Sequence, residues 1–223
     1  MEGSIAFKGI IFDMDGTLVD SERALLDMWE CAARDAGFGF SRELMITTIG
    51  TTFAETMRIM TEAYPDAPQM EIRRETSARF QALRAGGGLK LRPGVVETLE
   101  KAASLGLLIG LCTSSRDESA AKTLKSVGIS HYFNATVFGS DVEKGKPDPE
   151  PYLLVAKRLG VSPSECYVIE DSPSGARSAL AAGMTVAVVP DMVAVPEDVA
   201  ERAAVYASLE EAFAGLMKLD QRE

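Results

Sequence analysis

Ile10-Ile11-Phe12-Asp13-Met14-Asp15-Gly16-Thr17-Leu18-Val19-Asp20-Ser21 closes an apolar run with two aspartates one residue apart. The run Ala6–Phe12 is apolar enough for a buried strand, and a core accounts for nothing that follows it. Side chains two apart in an extended chain share a face, so Asp13 and Asp15 project together beyond the strand's carboxyl end. Two like charges that close repel, and each needs a cation, a partner or a proton. Gly16 permits a sharp turn there. The segment reads as a strand that delivers a charged pair to a site of chemistry.

Beyond this strand the periodicity is helical over Glu22–Ala36, Arg42–Ile49, Ala54–Tyr64 and Gln69–Ala85. Leu25, Met28, Trp29 and Ala32 recur at helical spacing in the first of these, and Gly86-Gly87-Gly88 ends the block as a flexible linker. From Arg92 the pattern alternates. Strands are predicted at Leu107–Cys112, Ala135–Phe138, Cys166–Ile169, Thr185–Val189 and near Ala204–Ala207. Helices are predicted at Pro93–Gly106, Asp117–Val127, Pro151–Leu159, Gly175–Ala182 and Glu210–Leu219. Alternation of this kind implies an α/β fold with a doubly wound, parallel, Rossmann-like sheet and right-handed crossovers. Residues 1–17 and 90–223 form its core, and residues 18–89 are an all-helical domain inserted after the first strand.

The 223 residues, 46% hydrophobic and 25% charged, suit a globular protein with a substantial core. A formal net charge of −10 disfavours nucleic acid and anionic membranes as partners, but leaves anionic substrates open to the local field of a pocket. Cys31, Cys112 and Cys166 are far apart and read as small buried residues without a disulfide. Met1-Glu2-Gly3-Ser4 offers no basic n-region and no h-region, and no apolar stretch reaches membrane-spanning length. A cytoplasmic protein is expected, with a monomer as the default state.

Ligands of open α/β sheets bind at the carboxyl ends of the strands. After the first strand stand Asp13 and Asp15. After Leu107–Cys112 comes Thr113-Ser114-Ser115, hydroxyls and free amides at a helix start, suited to an anion. A loop, Glu143-Lys144-Gly145-Lys146-Pro147-Asp148-Pro149, offers two lysines, either of which can reach the crevice. After Cys166–Ile169 comes a second acidic pair, Glu170-Asp171. Carboxylates without His or Cys suit a hard divalent ion such as Mg²⁺, and lysine with hydroxyls suits a phosphoryl group. A carboxylate attacks phosphorus once charge on both partners is neutralised, and a second carboxylate transfers protons. Ser115 and Ser172 are expected to cap the helices that follow them, and His131 to pack.

With these residues in order, the sequence resembles the haloacid dehalogenase-like (HAD) superfamily. Its first motif, DxDGT, stands as Asp13-Met14-Asp15-Gly16-Thr17. The second matches Thr113, the third Lys146 and the fourth Glu170-Asp171. The resemblance implies that Asp13 is the nucleophile and a Mg²⁺ ligand. It makes Asp15 the general acid/base, with its main-chain carbonyl on the metal. Thr113 and the amide of Ser114 would hold phosphoryl oxygens, and Lys146 would neutralise charge. Asp171 would bind Mg²⁺ with Glu170 beside it. Dehalogenases of the superfamily lack the second aspartate, so Asp15 points to phosphoryl chemistry. The chain also resembles β-phosphoglucomutases, but Leu25 stands near the place of their histidine, and Ile49 and Phe53 near that of their basic pair. The expected activity is therefore hydrolysis of a small phosphorylated metabolite, such as a sugar phosphate or phosphoglycolate. A mutase-like phosphotransferase and a non-catalytic binding protein are the alternatives. In the inserted domain Thr51, Thr52 and Arg58 are candidate substrate contacts.

Overall fold

The computed structural model of the chain describes residues 7–49 and 53–220. It divides into two compact units. One is the segment Asp20–Lys90, and the other is the rest of the described chain on either side of it.

The inserted unit carries helices α1 (Ser21–Asp35), α2 (Arg42–Ile46), α3 (Phe53–Ala63) and α4 (Gln69–Ala85). Its core gathers Leu26, Trp29, Ala32, Met45, Met60 and Ile72. Trp29, Phe40 and Tyr64 pack in series as tilted rings, with centroids 6.0 and 4.7 Å apart. Leu25, expected on the apolar stripe, is 41% exposed, and Leu26 takes its place inside. Helix α2 ends at Ile46, short of the predicted Ile49, because the hydroxyls of Thr47 and Thr48 donate back to the carbonyls of Leu44 and Met45. Such local bonds compete with helix propagation.

The other unit holds one parallel sheet of β1 (Gly9–Phe12), β2 (Leu108–Cys112), β3 (Ala135–Val137), β4 (Cys166–Glu170), β5 (Thr185–Val188) and β6 (Ala204–Val205). The spatial order is β3-β2-β1-β4-β5-β6. Strands β1 and β4 are buried throughout, as their unbroken apolar sequences require when helices cover both faces. Ile11, Cys112, Val168 and Val186 pack toward α7 (Glu150–Leu159) and α8 (Pro173–Ala181). Helices α5 (Val95–Ser104) and α10 (Leu209–Asp220) pack together and against β2, β4 and β5. Gly110 lets α7 close on β2, since a Cβ there would sit 2.9 Å from Val155. Helix α6 (Asp117–Ser126) follows β2, and a short α9 (Glu197–Ala200), which the pattern does not signal, precedes β6. Strand β6 shrinks to two exposed edge residues.

The chain runs outward from β1 through β2 to β3, then returns to the other side of β1 for β4. The order therefore reverses between β1 and β4, and a crevice opens beyond their carboxyl ends. Among the described residues no helix is long and apolar enough to cross a membrane.

Candidate active site

Parallel register brings the motif residues together. Phe12 lies level with Leu111 on one side and Ile169 on the other. The Asp13 amide extends the ladder one residue further by donating to the Ile169 carbonyl at 3.1 Å. Asp13 therefore emerges between Cys112 and Glu170.

Lys146 enters from the loop before α7, and its peptide bond to Pro147 is cis. Its ammonium donates to Asp13 Oδ1 at 2.6 Å, to Glu170 Oε1 at 2.6 Å and to the Cys112 carbonyl at 2.9 Å. The structure thus separates the two lysines of the loop: Lys146 is buried at Asp13, whereas Lys144 is exposed and lies 3.9 Å from Asp148. Burial pushes the Asp13 carboxyl up to about 8, opposed by Lys146 and reinforced by Glu170 and Asp15.

Glu170 is wholly buried and saturated. Its Oε1 accepts from Lys146 and from the Tyr152 hydroxyl at 2.8 Å. Its Oε2 accepts from the amides of Asp171 and Ser172 and from the Ser172 hydroxyl. Only glycine fits at 175, because a Cβ would collide with this carboxylate. Ser172 also accepts from the Gly175 amide, which is the expected helix cap. Asp171 accepts from the Thr17 hydroxyl at 2.9 Å. Gly16 adopts φ +88°, a conformation that favours glycine, and a side chain there would strike Asp171.

On the β2 side, Asp15 Oδ2 accepts hydroxyls from Thr113 at 3.2 Å and Ser115 at 2.8 Å, while Thr113 Oγ1 accepts the Ser115 amide. Ser115, expected to cap α6, instead binds a carboxylate; Arg116 occupies the cap position and makes no side-chain cap. Ser114 is exposed, and its carbonyl packs against Gly139, where a Cβ has no room. Thr17, Ser115 and Tyr152 are the partners that sequence reasoning missed. Their hydroxyls have no fixed spacing from the carboxylates they meet.

Thr51 and Thr52 lie outside the described residues. Arg58 stands on α3, exposed and paired along its own helix with Glu55 and Glu62. Leu25, also on the inserted unit, carries no polar atom on its side chain. Cys112 and Cys166 are buried free thiols, while Cys31 is half-buried.

Asp13, Glu170 and Asp171 each present a carboxylate oxygen, all within 4.8 Å of one another and all buried. Asp13 and Glu170 share the Lys146 ammonium. Three clustered carboxylate oxygens are hard donors that fit a hard cation.

The family model described as haloacid dehalogenase-like hydrolase matches residues 10–189, which include every carboxylate above and Lys146. The chain belongs to this family of hydrolases. Among its relatives, a protein of Thermotoga maritima named phosphorylated carbohydrates phosphatase is 35% identical, over 79% of this chain and 82% of the relative. Phosphoglycolate phosphatase of Salmonella paratyphi A is also 35% identical, over 79% and 78% of the two chains. A solved HAD family hydrolase of Deinococcus radiodurans R1, with bound phosphate and sodium, superposes with a TM-score of 0.82. That match is 25% identical and covers 96% of this chain and 97% of the other.

Proposed function

We propose that this chain is a Mg²⁺-dependent phosphatase for a small phosphomonoester, a sugar phosphate or a phosphoglycolate-like molecule, acting through an aspartyl phosphate on Asp13. The observation that carries this reading is the Lys146 ammonium held between Asp13 and Glu170, with Asp171 in reach. Two relatives named as phosphatases, one for phosphorylated carbohydrates and one for phosphoglycolate, support the substrate class.

An Asp13 oxygen attacks phosphorus, and the bond from phosphorus to the ester oxygen breaks. Lys146 offsets the charge that gathers between nucleophile and phosphoryl group, while Thr113 and the Ser114 amide hold its oxygens. Asp15 gives its proton to the leaving oxygen. It then takes a proton from water, whose oxygen attacks the phosphoaspartate, and the bond to Asp13 breaks to release inorganic phosphate. Asp13, Asp171, the main-chain carbonyl of Asp15 and, directly or through water, Glu170 would hold Mg²⁺. The ion would supply charge neutralisation to the carboxylates and the phosphoryl group.

Residues 18–89 act as the cap domain that selects the substrate, with Thr51, Thr52 and Arg58 as its candidate contacts. A phosphatase is favoured over a mutase because Leu25 stands near the place of the mutases' histidine, and Ile49 and Phe53 near that of the basic pair that grips a second phosphate. Hydrolysis of an aryl phosphate such as p-nitrophenyl phosphate should require Mg²⁺. Asp13→Asn should lower kcat on the order of 10³-fold or more. Turnover independent of Mg²⁺, or retained in that variant, would refute the mechanism. A panel of phosphorylated metabolites then identifies the preferred substrate.

A further inference from the structure

Tyr152 lies outside the four motifs, on α7, with its side chain wholly buried. Its hydroxyl donates to Glu170 Oε1 at 2.8 Å, and its ring centroid lies 5.0 Å from the Lys146 ammonium. We propose that Tyr152 is a positioning residue for phosphoryl transfer: its hydroxyl pins Glu170, and hydroxyl and ring together hold the Lys146 ammonium at Asp13. The proposal rests on the phosphatase reading above.

An ammonium has three protons, and all three of Lys146 are used, on Asp13, Glu170 and the Cys112 carbonyl. Its place between the two carboxylates depends on how firmly each competes for it. Glu170 Oε2 is anchored by two amides and a hydroxyl, but among the described residues Oε1 is anchored by Tyr152 and Lys146 alone. Without the tyrosine hydroxyl, Oε1 draws more of its stabilisation from Lys146, and the ammonium shifts its charge away from Asp13. The nucleophile then faces the phosphoryl group less well neutralised. The ring adds a second restraint, since a cation over an aromatic face is attracted to it. A bystander reading also exists, because a buried tyrosine hydroxyl ordinarily finds an acceptor. The two readings differ in kinetics.

Tyr152→Phe keeps the ring and its volume and removes only the hydroxyl. With an aryl phosphate and Mg²⁺, kcat should fall about tenfold, while KM and the half-saturating Mg²⁺ concentration stay unchanged. Vanadate, a mimic of the five-coordinate phosphorus, should bind more weakly by calorimetry by the same factor. Inorganic phosphate should bind as before, because the lost interaction matters chiefly when charge develops. Added to Glu170→Gln, the Phe substitution should cost little more, as expected if Tyr152 acts through Glu170. A lowered Tm with unchanged kcat and vanadate affinity would make Tyr152 a structural residue and overturn the proposal. So would a defect that excess substrate or Mg²⁺ repairs, or strict additivity with Glu170→Gln. A wild-type protein without Mg²⁺-dependent turnover would instead remove the phosphatase reading, and the proposal with it.

Discussion

At Asp15 one carboxylate oxygen accepts hydroxyls from both Thr113 and Ser115. Donors on the same oxygen fix the orientation of the carboxylate, which suits a group that must pass a proton in both directions. Of the two bonds the one from Ser115 is shorter, 2.8 against 3.2 Å. Ser115→Ala should leave the fold intact and lower kcat about three- to tenfold, the worth of one hydrogen bond. KM for the aryl phosphate should change little, and steady-state kinetics with that substrate check both. Nothing in the sequence separates this serine from a helix cap. The hydroxyl of a residue ahead of a helix can turn either to the next amides or across the crevice, and the position of Asp15 settles which.

Between β3 and α7 the chain makes a long excursion that must deliver Lys146, and one ion pair ties its first half down. Arg158 of α7 donates to the Thr136 carbonyl of β3 at 2.5 Å and to Asp141 Oδ2 at 3.0 Å. Asp141 in turn accepts the Phe138 amide at 2.9 Å. Just downstream, the Gly139 amide donates to the Ser115 carbonyl at 2.9 Å, so the same loop braces the turn after β2. The Arg158 hydrogen bond holds the Asp141 carboxyl below its ordinary 3.8, with the Phe138 amide acting the same way and burial opposing both. A depressed folded-state pKa contributes stability above the unfolded value and loses it as pH falls through the folded one. Asp141→Asn should therefore destabilise the protein by up to about 1 kcal/mol at pH 7. The gap from wild type should close as pH drops below 3.8. Urea midpoints measured from neutral pH downward test this.

Across the whole molecule, a chain of net charge −10 concentrates several of its acids at one buried point. Lys146 offsets part of the repulsion within that cluster, and a bound ion would stabilise the native state further by mass action. Mg²⁺ at a hundredfold excess over its Kd should add about 2.7 kcal/mol, or roughly 5–10 °C in Tm. Asp171→Asn should remove most of that shift, and thermal unfolding with Mg²⁺ and with a chelator reads it directly. The architecture follows from local pattern. Unbroken apolar strands alternating with amphipathic helices leave few arrangements besides a parallel doubly wound sheet, and a strand's direction is enough to place Asp13, Thr113 and Glu170 at one edge of it. Where the pattern failed, at Leu25, at the end of α2 and at α9, the deciding contacts were single side chains or short turns that carry no periodicity. The sequence by itself determined which elements form and which carboxylates stand at strand ends, because both depend on residues close in the chain. Only the tertiary structure turned Ser115 toward Asp15 and set Tyr152 against Glu170. Those pairings join side chains from different elements, and their distances exist only once register and packing have brought the elements together.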